Sequence, residues 1–137
     1  MKKVLLYIWQ LPQNLIGLIL SRLLKTEYRF EYGIKYYAVN GFFNSGVSLG
    51  SYILIDNAYL LAREKTMKDV LKHELGHQKQ SKYLGWFYLI VIGIPSLCRN
   101  IYNRIFHKTW SYSKRSKWYF SGFPEKWADK LVGIERK

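Results

Sequence analysis

Cysteine is almost missing from this chain: Cys98 is the only one. No internal disulfide is therefore possible, and the count suits a reducing compartment, so the expected location is the cytoplasm. Cys98 lies in an apolar run and reads as a small core residue. Acids are also scarce, nine against 22 Lys and Arg, which leaves a formal net charge of +13. Such a balance favours anionic partners, either nucleic acid or a membrane surface carrying acidic lipid. None of the common nucleic-acid-binding motifs is present, so no specific nucleic-acid partner is expected. There is no internal repeat and no low-complexity tract. Aromatic residues, in contrast, make up 18% of the chain, with twelve Tyr and five Trp. Placed beside apolar runs, they tilt the anionic partner toward a membrane interface. A length of 137 residues gives one domain, 1–137, with enough chain for a hydrophobic core.

Histidine is rare too, with three in all, and two of them fall in His73-Glu74-Leu75-Gly76-His77. Positions four apart on an α-helix lie one above the other. His73 and His77 can therefore present two imidazoles to one zinc ion. Glu74, about 100° round the helix, can reach a water on that metal without being a ligand. Two nitrogens on zinc and a base for its water are what a zinc hydrolase needs. The competing reading is two surface histidines in a chance pattern.

The rest of the chain supplies a scaffold of α+β type. Residues 1–25 are mostly apolar behind Lys2 and Lys3, resembling a signal peptide without a clear small-x-small cleavage site. Pro12 suits the first turn of a helix over 12–25. In it Asn14, Gly17, Ser21 and Lys25 share one narrow stripe and leucines and isoleucines cover the remainder. A helix that apolar is a core or membrane-interface helix. Residues 27–56 read as a small antiparallel sheet of about three strands, punctuated by Gly33, Asn40-Gly41 and Asn44-Ser45-Gly46. The last strand, Val47–Ile55, contains Gly50, which suggests a bulge or a close backbone approach. It is a candidate edge strand for an extended peptide. Thr66-Met-Lys-Asp69 has the form of a capping box and opens the active-site helix, 66–84. Gly76 inside that helix costs roughly 1 kcal/mol relative to Ala, a hint that something packs closely there. Residues 86–106 give further apolar helices, one before Pro95 and one after. Residues 107–118 read as a basic, aromatic loop, and 124–133 as a short helix.

Zinc needs a third protein ligand. A metzincin-like site would place a histidine at position 83, which is Tyr83, and a glycine at position 80, which is Gln80. The better candidate lies in Phe123-Pro-Glu-Lys-Trp-Ala-Asp129. Glu125 and Asp129 are four apart and share a helix face. Glu125 can complete a His₂Glu set, and Asp129 can accept the remaining ring N–H of a ligand histidine. His107 is the rival third ligand.

Together, H-E-x-x-H and the downstream E-x-x-x-D resemble the gluzincin zinc metallopeptidases in a minimal, single-domain form. The segments H-E-L-G-H-Q-K-Q-S, G-I-P-S-L and E-K-W-A-D-K-L are also similar to a group of short bacterial proteins carrying H-E-x-G-H. The resemblance implies zinc on His73, His77 and Glu125, Glu74 as the catalytic base, and Asp129 as the residue that orients a histidine. It further implies a Tyr or His that polarises the scissile carbonyl, a role open to Tyr119, Tyr112 or His107. The expected activity is peptide-bond hydrolysis on a peptide or protein substrate through a zinc-activated water. The alternative is a catalytically inactive, zinc-stabilised domain that binds a membrane surface or a partner.

Overall fold

The computed structural model describes residues 1–42, 45–62 and 67–136. Elements follow in the order α1 (Lys2–Trp9), α2 (Leu11–Leu23), β1 (Glu27–Glu31), β2 (Ile34–Val39), β3 (Gly46–Leu49), β4 (Tyr52–Asp56), α3 (Asn57–Ala62) and α4 (Met67–Leu84). A 3₁₀ turn (Gly85–Phe87) and a π-helical turn (Leu89–Gly93) lead to α5 (Ile94–Phe106), α6 (Tyr112–Phe120) and α7 (Glu125–Val132). The fold is α+β, with helices at both ends of the chain.

The sheet departs from the expected three antiparallel strands. It has four, in the order β1-β2-β4-β3, and β2 pairs with β4 in parallel. Val47–Ile55 is a hairpin, because Gly50 adopts φ +64° and with Ser51 makes a two-residue turn. That conformation suits glycine and closes a tight hairpin. The Asn14 carboxamide clamps the turn by accepting from the Ser51 N–H at 2.7 Å. A Cβ on Gly50 would lie 2.2 Å from Asn14 Oδ1, so the close approach expected at this glycine is real. After β2 the chain crosses to the outer edge, runs back as β3, and returns as β4 in the middle. β3 is thereby an edge strand. On one face Ile34, Tyr36, Ala38, Ile53 and Ile55 alternate inward and meet Leu60 of α3 and Leu71 of α4, forming the main core.

Two further expectations change, and a third falls outside the described residues. The capping-box threonine, Thr66, lies outside the described residues. Cys98 is exposed on α5 rather than buried. The expected loop 107–118 contains most of α6, whose first turn is capped by Ser111: its Oγ accepts from the Lys114 N–H at 3.3 Å. α5 begins one residue before Pro95, where a proline without an N–H is harmless in a first helical turn.

α4 and α7 cross at Gly76. A Cβ there would stand 2.2 Å from the Ala128 carbonyl oxygen, so glycine is what lets the two backbones meet. Replacing Gly76 with Ala should improve local helix propensity by about 1 kcal/mol yet push α7 outward. We expect a lower melting temperature and at least a roughly tenfold loss of zinc affinity, the scale of losing a supporting contact at a metal site. Calorimetry and a chelator competition would measure both; an unchanged variant would show that α7 can shift freely.

Candidate metal centre

Two short helical stretches build the site. α4 carries His73, Glu74 and His77, all buried. α7 brings Glu125, fully buried, and Asp129, nearly so. The expected ligands converge: ligand atoms of His73, His77 and Glu125 lie within 4.8 Å of one another. Glu125 Oε2 is 3.0 Å from His73 Nε2 and 2.9 Å from His77 Nε2.

The hydrogen bonds behind these atoms decide what the cluster can hold. His73 Nδ1 is 2.7 Å from Asp129 Oδ1. Asp129 is also bound by the Arg136 guanidinium at 2.6 and 3.2 Å. Burial opposes its ionisation, but hydrogen bonds from His73 and Arg136 outweigh it and hold the carboxyl below its usual range. The His73 Nδ1 proton thus donates to a carboxylate. His77 Nδ1 is 2.7 Å from Gln80 Oε1, and Gln80 Nε2 donates to the Pro124 carbonyl at 3.1 Å. A carbonyl cannot donate, so the Gln80 amide is fixed and its oxygen must accept from His77. If both rings are neutral, Nε2 of each is then a bare lone pair facing a carboxylate oxygen. Three acceptors at such distances need protons or a cation between them. The set is two imidazole nitrogens and one carboxylate oxygen, each second imidazole nitrogen being held by an oxygen acceptor. It fits zinc, and these contacts are the kind that orient zinc ligands.

Protons answer the same need when no metal is bound. Burial alone would lower His73, but hydrogen bonds to Asp129 and Glu125 overcome it and raise it to about 9. Burial would raise Glu125, but His77 and the hydrogen bonds from both histidines keep it well below the carboxylate range. A metal must displace the His73 proton, so zinc affinity should climb as pH rises toward about 9 and level off above it. Without metal, the same raised His73 stabilises the fold fully below about pH 6.5 and loses that contribution as pH passes through about 9. Chelator competition and melting curves between these limits would check both trends; zinc affinity that does not change with pH would contradict the proton assignment.

Glu74 stands apart from the ligands. Its Oε2 is buried with no hydrogen-bond partner, and its Oε1 would lie 2.9 Å from a Cβ on Gly46. Burial holds this carboxyl above its ordinary value, with His77 and then His73 pulling it partly back. Ser96 Oγ donates to Glu125 Oε1 and lies 3.3 Å from the Tyr119 hydroxyl. Burial, and then Glu125, push the Tyr119 hydroxyl well above its normal range, so it stays protonated. A groove of about 670 Å³ opens over these groups between β3, α5 and α6.

Tyr112 and Tyr119 both line the groove, along with His73, Glu74 and His77. His107 does not join them. It ends α5, stacks on Trp110 with ring centroids 3.7 Å apart, and its Nδ1 is 2.9 Å from Asn103 Oδ1. It is neither the third member of the metal cluster nor a groove residue, because the α5–α6 connection folds it into an aromatic cluster of its own. Four contributors escaped the sequence reading: Gln80, Ser96, Arg136, and Tyr88, which lines the groove and donates its hydroxyl to the Ser48 carbonyl. Gln80, three residues beyond His77 on the same helix face, had a readable spacing; the others are brought in by tertiary packing. No protein-family model, curated protein or solved structure matches this chain.

Proposed function

We propose that this chain is a zinc-dependent metallopeptidase. The observation that carries the reading is the convergence of the His73 and His77 Nε2 atoms on Glu125 Oε2 beside a buried, unpartnered oxygen of Glu74. His73, His77 and Glu125 would hold the metal. Zinc, when bound, supplies Lewis-acid polarisation and lowers the pKa of its water toward ~7.

The remaining work falls to side chains. Glu74, held above its usual range by burial, can take a proton at Oε2 and return it to the leaving amine. Tyr119, protonated throughout, can donate to a carbonyl oxygen in the groove; Tyr112 lines the same space. The edge strand gives the substrate a backbone to pair with. Ser45 O accepts from Asp56 N at 2.9 Å, so by alternation Gly46 and Ser48 turn their backbone groups away from β4. The Ser48 carbonyl is already taken by the buried Tyr88 hydroxyl at 2.8 Å. An extended peptide would therefore pair at Gly46, next to Glu74, rather than along the whole strand.

Zinc-loaded full-length protein incubated with a mixed peptide library should yield defined cleavage products by mass spectrometry. Chelation should stop the reaction and added zinc restore it. Stoichiometric zinc with no cleavage would instead favour the zinc-stabilised binding domain.

A further inference from the structure

Two helices are turned inside out. α2 buries Gln13, Asn14 and Gly17 while Leu15, Ile16, Ile19 and Leu23 are exposed, Leu23 by 73%. Its polar side is fastened inward: Gln13 Nε2 donates to Ser81 Oγ at 2.9 Å and to the Gly85 carbonyl at 2.8 Å, and Asn14 Nδ2 donates to the Tyr7 carbonyl at 3.0 Å. α5 repeats the pattern. Its one buried residue is Asn103, and Ser96 and Arg99 reach inward to Glu125 and the Tyr119 carbonyl. Ile94, Leu97, Ile101 and Ile105 form an exposed stripe at helical spacing, and Phe87 and Ile90, both 65% exposed, extend it upstream. The surfaces adjoin: the Trp9 ring packs on Gly85, and Trp86 Nε1 donates to the Ile8 carbonyl at 2.9 Å. A soluble helix turns its apolar stripe to the core; here hydrogen bonds hold the polar stripes there.

Charge says what covers this surface. Residues 1–26 and 75–124, which carry it, contain no Asp or Glu. They do contain exposed cations such as Lys2, Lys3, Arg22, Lys82, Arg104 and Lys108. No single helix among the described residues is long and apolar enough to cross a membrane; α1 and α2 reach that length and apolarity only together, as a pair bent by 88°. We infer that the protein docks on an anionic lipid bilayer, laying α1, α2, the 85–93 segment and α5 into one leaflet while the flanking Lys and Arg meet acidic headgroups. Leu97 and Ile101 belong to the exposed stripe and also line the groove, so the groove opens at the lipid surface. If the peptidase reading holds, its substrate is a chain tethered at the membrane; the docking itself does not rest on that reading.

Flotation with vesicles separates the two questions, because it needs no turnover. The full-length protein should float with zwitterionic vesicles containing about a quarter anionic lipid and bind purely zwitterionic ones much more weakly. The double substitution Phe87→Glu/Ile90→Glu, at exposed positions outside the groove lining, should lower partitioning at least about tenfold. Leu23→Glu on α2 should lower it independently, with circular dichroism and zinc content unchanged. Folded protein that floats with neither vesicle would overturn the proposal. So would equal flotation of wild type and variants. Self-association that the same substitutions abolish, without vesicle binding, would assign the surface to a second copy of the chain.

Discussion

Changing Glu74 to Gln is expected to abolish peptide hydrolysis, by a factor of about 10² to 10⁴ in kcat, while leaving zinc stoichiometry intact. The factor is the usual worth of a positioned general base. Zinc should stay because Glu74 makes no hydrogen bond to the His73, His77 and Glu125 cluster, whose own contacts do not involve it. The variant should also fold at least as well. Wild-type Glu74 is buried with an orphaned oxygen, and its carboxyl is held above its ordinary range, first by burial. An acid raised in the folded state gives stability that is lost as pH rises through its folded pKa, so the penalty of ionising this buried carboxyl grows with pH. An amide of the same shape removes that penalty. Lost turnover, retained zinc and an unchanged or higher melting temperature would together mark a residue kept for chemistry. Hydrolysis that survives in the variant, measured on the same peptides, would remove Glu74 from the mechanism.

The candidate site was readable because helical periodicity carries it. His73 and His77, and separately Glu125 and Asp129, are each four apart, and that spacing alone puts each pair on one face. What joins the two pairs is less visible: Gly76 stood out as a costly residue mid-helix, but its partner, the Ala128 carbonyl, is a matter of packing. The sheet was misread at Gly50 because one glycine can mark either a bulge or a hairpin turn, and the Asn14 clamp that distinguishes them comes from a helix 36 positions earlier in sequence. α6 was hidden because a run of Lys, Ser and Tyr has no apolar periodicity to announce it; Ser111 starts it and the groove organises it. The polar stripe on α2, with Asn14 and Gly17 in register, was evident, but not its direction. Only the bonds from Gln13 and Asn14 show that the stripe faces inward and the leucines outward.

That inward commitment of polar groups is also why Glu125 is the residue on which the centre depends. It is the sole acid of the converging set and fully buried. One oxygen faces both histidines and the other accepts from Ser96. On the proposed ligation, Glu125→Ala should weaken zinc binding by more than about 100-fold, beyond the cost of losing an outer contact, since one of three ligands would be gone. The metal-free protein should suffer as well: protonated His73 loses one of its two anionic partners, and breaking such a buried pair costs about 3–5 kcal/mol. His73 would keep Asp129, so its pKa should fall from about 9 toward its ordinary value. Glu125→Gln separates the two effects. It keeps the volume and the contact with Ser96 but removes the charge, so zinc should still be lost while much of the packing survives. Metal analysis, melting curves and an NMR titration of the histidines on both variants would test this. Zinc retained at one per chain in Glu125→Gln, with His73 unmoved, would mean that the carboxylate is a structural acid and that another oxygen completes the site.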